Sequence, residues 1–174
     1  MRTQVLAAAA IAIAAVVQPT QAVPQIRYQT AQGGIVCQLN IPTTDTKARP
    51  KASGFRNEGT TNVFTICGIP SVNDNPAGGT VVGIAITLQD LSGVMHSTIS
   101  CTATNGSPSF GIAYATKQGY PDSSGTVMLF DASDFGGVEG ESFQNSDFWS
   151  ITCNLPGQAA IPYLYAEYSV DAAV

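Results

Sequence analysis

The chain has 174 residues and seven basic side chains against twelve acidic ones, so its formal net charge is −5. This charge argues against a nucleic-acid binder, because such binding depends on neutralising phosphates. The hydrophobic share of 44% is too high for a disordered protein, and 17 Gly with 10 Pro favour turns over long helices. The composition predicts a globular, turn-rich protein.

Residues 1–22 have the pattern of a secretory signal peptide. A positively charged start precedes an apolar run from Val5 to Val17, and Thr20-Gln21-Ala22 places small residues at the cleavage positions. The apolar run is shorter than the roughly 17 to 25 residues of a membrane-spanning helix. We therefore expect cleavage after Ala22 and one soluble domain of residues 23–174, secreted or periplasmic and without a membrane span.

Seven short runs, bounded by Gly, Pro, Asn and Ser, carry strand signals. The clearest run alternates strictly, with Val82, Ile84, Ile86 and Leu88 on one face. No helical period is visible in the mature chain. The pattern therefore predicts a single-domain, all-β fold, an antiparallel β-sandwich of about seven to eight strands. The seven runs are residues 35–41, 60–67, 81–90, 95–104, 125–130, 149–155 and 160–168.

Two polar stretches interrupt the strand pattern, and both are predicted to be surface loops. Residues 43–54 carry Lys47, Arg49 and Lys51 beside Pro50. Residues 131–147 concentrate carboxylates among glycines and show no strand pattern.

Four cysteines lie in the mature chain, and an even number in an exported protein indicates two disulfides. Alternation turns Cys37, Cys101 and Cys153 towards the core. The phase of Cys67 is ambiguous, because it stands at the end of its strand. Four cysteines allow three pairings, and the shared direction of Cys101 and Cys153 favours a bridge between them. Cys67 then pairs with Cys37.

Several short motifs recur in one order along the chain. Cys67-Gly68-Ile69-Pro70 and Cys153-Asn154-Leu155-Pro156 both end a strand as C-x-[IL]-P, Gly54-Phe55-Arg56-Asn57 precedes the first, and Ile161-Pro162-Tyr163-Leu164-Tyr165 follows the second. In this order, over roughly residues 34–168, the chain resembles a group of small exported bacterial proteins of unknown function. The resemblance implies export and a disulfide-bearing β fold, and it carries over no catalytic residue.

No motif indicates a reaction. A Gly-x-Ser-x-Gly motif is absent, and alternation places the single histidine, His96, on the outer face of its strand. We therefore expect no catalysis, and no cofactor is indicated. The acidic residues, among them Asp90, Asp122 and Glu167, could still supply the carboxylate pair of a glycosidase, so a secreted hydrolase is kept as an alternative.

The acidic stretch contains the one candidate metal site. Asp131, Asp134, Glu139 and Glu141 supply oxygen ligands on a glycine-rich backbone, as Ca²⁺ requires. Their spacing matches no EF-hand, and charges that keep a loop solvated are the simpler interpretation.

Exposed aromatic rings offer the best route to a binding function, because ligands with apolar faces dock on rigid rings. The candidates in Gly-rich and Pro-rich segments are Tyr114, Tyr120, Phe135 and Phe143, whereas the strand aromatics Trp149, Phe64 and Tyr163 are expected in the core. We predict a secreted, non-catalytic protein with a binding or structural role, whose partner is a surface glycan or an extracellular protein. The alternatives are the hydrolase and an inhibitor of an extracellular enzyme.

Overall fold

A computed structural model describes residues 24–41, 47–69, 80–93, 98–109, 111–143 and 148–171. The predicted signal peptide and His96 lie outside these ranges. The described part contains twelve β-strands and two helices of four residues each. Neither helix is long and apolar enough to cross a membrane.

The larger sheet has seven strands, in the order β1-β12-β6-β11-β4-β3, with β9 paired to the other side of β6. Every pairing within it is antiparallel. These strands are β1 (Pro24–Gln32), β3 (Ala48–Lys51), β4 (Gly54–Asn57), β6 (Thr80–Asp90), β9 (Thr126–Asp131), β11 (Ala159–Ile161) and β12 (Tyr163–Asp171).

The smaller sheet has five strands, in the order β2-β5-β10-β7-β8, and is also antiparallel throughout. Helix α1 (Gly33–Val36) joins the two sheets, and a short 3₁₀ helix (Ala132–Phe135) follows β9. The five strands are β2 (Cys37–Leu39), β5 (Val63–Gly68), β7 (Ile99–Ser107), β8 (Gly111–Gly119) and β10 (Phe148–Leu155).

One core lies between the inner faces of the two sheets. Side chains of the larger sheet, such as Ile86 and Phe130, belong to the same buried cluster as Ile151 and Trp149 of the smaller one. Burial of alternate side chains from two facing sheets is what defines a sandwich. The predicted antiparallel β-sandwich is therefore confirmed, although with twelve strands instead of seven or eight.

Both disulfides lie in the smaller sheet. Cys37 is bonded to Cys67 across β2 and β5, and Cys101 is bonded to Cys153 across β7 and β10. The two cysteines of each bridge stand directly opposite in register, with Cα atoms 4.0 and 4.1 Å apart. The pairing is the one expected from the sequence, and both bridges are links between neighbouring strands.

The predicted strand over residues 35–41 is only partly correct. The chain forms the single turn α1 before β2 begins, and Ile35 is 80% exposed. The turn follows from a close crossing, because the Gly33 N–H donates to the Pro162 carbonyl at 2.9 Å. A Cβ on Gly33 would lie 2.0 Å from the Ile161 carbonyl oxygen, so only glycine fits there. Ile41 is also exposed, contrary to expectation.

The predicted loop over residues 43–54 is wrong in its second half. Strand β3 and the turn into β4 occupy this part of the chain, and β3 is an edge strand paired only with β4. Pro50 is tolerated there because an edge strand can leave one side without a donor. This edge strand carries mainly polar side chains, so it shows no apolar alternation in the sequence.

A bulge in β6 decides which residues face outwards. Gly83 is opposite Glu167 and Val81 is opposite Tyr168, so Val82 has no partner in the register. The extra residue turns Val81 inwards, where it is buried, and leaves Val82 only half-buried. The predicted inward position of Val82 is therefore wrong. Beyond the bulge, the predicted alternation of β6 holds.

Candidate functional site

The four predicted ligand-binding aromatics do not form one site. Tyr114 is exposed on the outer face of the smaller sheet, and Tyr120 is exposed beyond the end of β8. Phe135 and Phe143 are in contact, with ring centroids 5.5 Å apart, and Phe143 is buried beside Trp149. The interpretation of these two phenylalanines as exposed ligand contacts is thus corrected, because both pack against the core.

The predicted calcium ligands are also separated by role. Asp131 accepts from the backbone N–H and hydroxyl of Ser133 and caps the 3₁₀ helix. Asp134 forms an ion pair with Lys117 at 2.7 Å, and Glu139 and Glu141 are exposed. Within the described ranges, no three His, Cys, Asp or Glu side chains form a group that could hold a metal.

The Asp131 carboxylate is held ionised by its capping role. The hydrogen bond from the Ser133 hydroxyl, followed by the Ser133 backbone bond and the charge of Lys117, lowers the pKa of this carboxyl. Its acidity is therefore accounted for by local structure.

The outer face of the larger sheet carries a group of exposed rings that the sequence analysis did not select. Register places Tyr165 beside Ala85 of β6 and beside Thr30 of β1, so these side chains share one face. Tyr28 is 61% exposed and Tyr163 is 39% exposed. We call this group the tyrosine platform, and it consists of Tyr28, Tyr163, Tyr165, Glu167, Val127 and Leu129.

The middle of the tyrosine platform is built on small residues of the central strand. Gly83, Ala85 and Thr87 alternate along the outer face of β6, and all three are buried. Longer side chains from the flanking strands cover them. A Cβ on Gly83 would lie 3.1 Å both from the Glu167 Oε2 and from the Leu129 Cδ1. Small residues in the centre of the platform therefore lie between larger ones on either side.

The ring of Tyr165 contacts both Tyr28 of β1 and Tyr163 of β12. Tyr28 and Tyr165 pack edge to face with centroids 5.7 Å apart. Tyr163 and Tyr165, two residues apart on β12, have centroids 6.5 Å apart and ring planes inclined by 31°. Such mutual packing fixes ring orientation before any ligand arrives, because each ring restricts the rotamers of its neighbour.

Partial burial raises the pKa values of Glu167 and Tyr165, at the centre of the platform. Desolvation raises the pKa of Glu167. Desolvation, followed by the nearby Glu167, Tyr28 and Tyr163, raises the pKa of Tyr165. The platform therefore presents a partly desolvated carboxyl among apolar ring faces, a combination suited to hydrogen bonding with hydroxyl groups.

A sequence signal for the platform does exist. Tyr163, Tyr165 and Glu167 recur at every second position, which places them on one face of a strand. Residues 160–168 are predicted as a strand with Tyr163 in the core, whereas Tyr163 is exposed. The same reversal applies to Phe64, which is 57% exposed, whereas Trp149 is buried as predicted.

Comparisons with known proteins are sparse. No protein-family model matches the chain, and no curated protein matches it. Among solved structures, the chain is similar to the family 11 carbohydrate-binding module of the cellulosomal cellulase Lic26A-Cel5E of Clostridium thermocellum, with 12% identity, 91% of each chain covered and a TM-score of 0.34.

A second solved structure is a family 11 module from Clostridium thermocellum in complex with a β-1,3-1,4-mixed-linked tetrasaccharide. It has 11% identity and a TM-score of 0.35, over 93% of this chain and 95% of its own. Similarity this remote assigns no ligand to the chain, so the ligand of the tyrosine platform has to be inferred from its own residues.

Proposed function

We propose that the protein is a non-catalytic carbohydrate-binding module that binds a glycan on the tyrosine platform. The observation that carries the proposal is the set of three tyrosines on the outer face of the larger sheet, in which Tyr165 packs against both Tyr28 and Tyr163. A solvated face would be expected to carry polar side chains, and a cluster of exposed rings there indicates a binding surface.

Sugar rings suit this surface in two respects. Their C–H faces pack on aromatic rings, which tyrosine supplies together with a hydroxyl at its edge. Their hydroxyls need polar partners, and the Glu167 carboxyl lies among the rings, over Gly83. The platform lies on the outer face of a sheet with its rings partly exposed, which favours a glycan chain lying across the surface over a small enclosed ligand.

A carboxylate-dependent hydrolase is the second candidate, and one observation favours it. Glu167 and Asp131 both stand opposite Gly83, on the two strands that flank β6. Their Cα atoms are therefore about 10 Å apart, since neighbouring strands are spaced by about 4.8 Å. Their pKa values shift in opposite directions, as in acid and base pairs. Binding is preferred because the Asp131 carboxylate is already engaged in helix capping.

The test is a screen of the mature protein against neutral and acidic oligosaccharides, followed by calorimetry on the best ligand. Replacing Tyr165 by alanine should weaken binding up to about tenfold, because one stacked ring contributes roughly 0.5 to 1.5 kcal/mol and a factor of ten corresponds to about 1.4 kcal/mol. The matched control is Tyr114→Ala, which removes an exposed tyrosine from the outer face of the other sheet. This control should keep the affinity of the unmodified protein.

Two outcomes would contradict the proposal. One is equal loss of binding in Tyr165→Ala and Tyr114→Ala, which would remove the platform from the interaction. The other is steady release of reducing ends from the bound glycan, abolished in Glu167→Gln, which would select the hydrolase. A screen without any glycan ligand would refute both functions.

We also propose that the protein is exported. Two disulfides in the described part of the chain support an oxidising compartment, where such bonds form and persist. The N-terminal apolar run and its small-residue cleavage pattern supply a route of export. N-terminal sequencing of protein expressed from the full chain should begin at Val23, and a chain beginning at Met1 would contradict the proposal.

A further inference from the structure

Positive charge is concentrated in one segment of this acidic protein. Residues 47–58 hold four of the seven basic side chains and a single carboxylate, Glu58, in a chain whose net charge is −5. Strands β3 and β4 lie within this segment, at one end of the larger sheet. The sheet thus carries a local positive patch that the composition of the whole chain conceals.

Two arginines of this patch face each other. Arg49 is directly opposite Arg56 in the β3–β4 register. Arg56 lies between the buried Phe55 and Asn57, so alternation directs it, and Arg49 with it, to the outer face. Like charges placed directly opposite on neighbouring strands are destabilising. An anionic ligand between the two guanidinium groups would relieve this repulsion.

Glu58 is the one carboxylate among residues 47–58, and its closest partner is Lys51 and not either arginine. Glu58 forms an ion pair with Lys51, and this hydrogen bond is the main cause that lowers the pKa of Glu58. The Arg56 Nε is 3.7 Å from the Glu58 Oε1, which is too long for a hydrogen bond, and this buried nitrogen has no hydrogen-bond partner. A hydrogen bond from the Arg56 Nη1 to the Ser53 hydroxyl at 3.2 Å orients the guanidinium.

The arginine pair and the tyrosine platform share one face of the sheet. Register joins Arg49, Arg56, Ala160 and Gln89 in one row across four strands. Gln89 continues the outward alternation of β6 that includes Ala85, which stands beside Tyr165 of the platform. Four residues of β-strand separate this row from the Tyr165 row, or about 13 Å. A ligand that contacts both must therefore be longer than one sugar ring.

We propose that the glycan bound by this protein is an acidic polysaccharide, whose sugar rings lie on the tyrosine platform while its carboxylates bind Arg49 and Arg56. The proposal rests on the glycan-binding function proposed above and adds the class of glycan. Guanidinium groups bind carboxylate and sulfate in a planar, two-bond geometry, and a partly desolvated arginine gains most from such a partner.

The experiment compares two forms of one ligand, an oligouronate and its carboxyl-reduced neutral counterpart. The double variant Arg49→Gln and Arg56→Gln should weaken oligouronate binding about tenfold or more and reduce its salt dependence, because charge-assisted hydrogen bonds are lost. The same variant should bind the neutral form as the unmodified protein does. Tyr165→Ala should weaken binding of both forms.

Arg27→Gln is the matched control, because it removes an exposed arginine from the larger sheet. Arg27 is next to Tyr28 on β1, so its side chain points to the face opposite the tyrosine platform. It should leave both affinities unchanged. Thermal unfolding of the arginine variants should show no loss of stability, since they remove a like-charge pair, and this excludes misfolding as the cause of weak binding.

The possible outcomes separate the two proposals. Equal binding of the acidic and neutral forms would overturn the acidic-glycan inference and leave the glycan-binding function intact. Failure of both forms to bind would count against the function itself. Tighter binding of a sulfated oligosaccharide through the same arginines would support the acidic class with a different anionic group. Arginine-dependent binding of single-stranded DNA, without glycan binding, would overturn the inference and identify a nucleic-acid site.

Discussion

Replacing Asn57 by alanine should destabilise the protein by about 3 kcal/mol, because this buried side chain connects three parts of the chain. Its Nδ2 lies 2.8, 3.2 and 3.0 Å from the carbonyl oxygens of Thr61, Leu155 and Pro156. Its Oδ1 accepts a hydrogen bond from the Gly59 N–H at 3.1 Å. The amide thereby fixes the end of β4 against the end of β10.

The magnitude follows from the number of bonds. The two amide hydrogens, shared among three carbonyls, supply about two full hydrogen bonds, and the bond that Oδ1 accepts from Gly59 is the third. Each contributes roughly 0.5 to 1.5 kcal/mol. Alanine also leaves the buried Gly59 N–H without a partner, which adds to the cost. A loss of about 3 kcal/mol is a large part of a typical total of about 5 to 15 kcal/mol, and should lower Tm by about 6 to 12 °C.

The assay is urea-induced and thermal unfolding with both disulfides intact, monitored by circular dichroism. Asn154→Ala is the matched control, because the Oδ1 of this half-buried asparagine has no hydrogen-bond partner. It should change the free energy of unfolding by less than about 0.5 kcal/mol. A loss below about 1 kcal/mol in Asn57→Ala, or equal losses in the two variants, would refute the reasoning.

Three further predictions concern the Cys101–Cys153 disulfide, the Glu167 carboxyl of the platform and Gly83 beneath it. Replacing Cys101 and Cys153 together by alanine should cost about 4 kcal/mol in urea unfolding, because the bridge spans 52 residues, and a loss under about 1 kcal/mol would contradict the entropic account. Burial raises the pKa of Glu167 in the folded state above the unfolded value of 4.5. Between these two pKa values the folded state keeps a proton that the unfolded state releases, so the free energy of unfolding falls as the pH rises through this range. Glu167→Gln should therefore be more stable than the unmodified protein at neutral pH and lose this advantage at about pH 3. In Gly83→Ala the new Cβ would lie only 3.1 Å from the Glu167 carboxylate, so the carboxylate should shift and glycan binding should weaken in calorimetry. The control Gly68→Ala, which has open space at its Cβ, should bind as the unmodified protein does.

The sequence predicts best the strands whose large apolar residues face the core. In β10, Trp149, Ile151, Cys153 and Leu155 are all buried, as their alternation requires. The disulfide pairing follows from the same pattern, because two cysteines that point inwards from neighbouring strands can meet in register. Strong alternation with a buried apolar face therefore carries both the fold class and the bridges.

Strand β8 shows why part of the fold could not be predicted. Its alternation is regular, but Ala115 and Lys117 face inwards while Ile112 and Tyr114 are exposed. An apolar search assigns the wrong face to such a strand. Lys117 is accommodated because it donates to the Leu129 carbonyl at 2.8 Å and pairs with Asp134, and an inward charge on an edge strand prevents further strand pairing.

The candidate site was missed for a related reason. Period two states which residues share a face, but it does not state which face meets the core. In β12, Leu164 and Ala166 are buried, whereas the larger Tyr163 is exposed. The larger side chain of this strand is therefore assigned to the core from the sequence, although it lies on the outer face. In the acidic segment, Asp131 caps a helix and Asp134 pairs with Lys117, so the four predicted calcium ligands do not form one group.

Stability and ligand binding depend on different parts of the fold. Both disulfides stiffen the smaller sheet, and the buried amide of Asn57 ties the end of β4 to the end of β10. The tyrosine platform and the Arg49–Arg56 pair lie on the opposite, outer face of the larger sheet, where neither the disulfides nor this amide depend on them. Substitutions of the platform tyrosines and of Arg49 and Arg56 should therefore change ligand affinity with little effect on folding, since outer-face side chains contribute little to the core. A loss of binding in a platform variant with unchanged Tm can then be attributed to the lost contact itself.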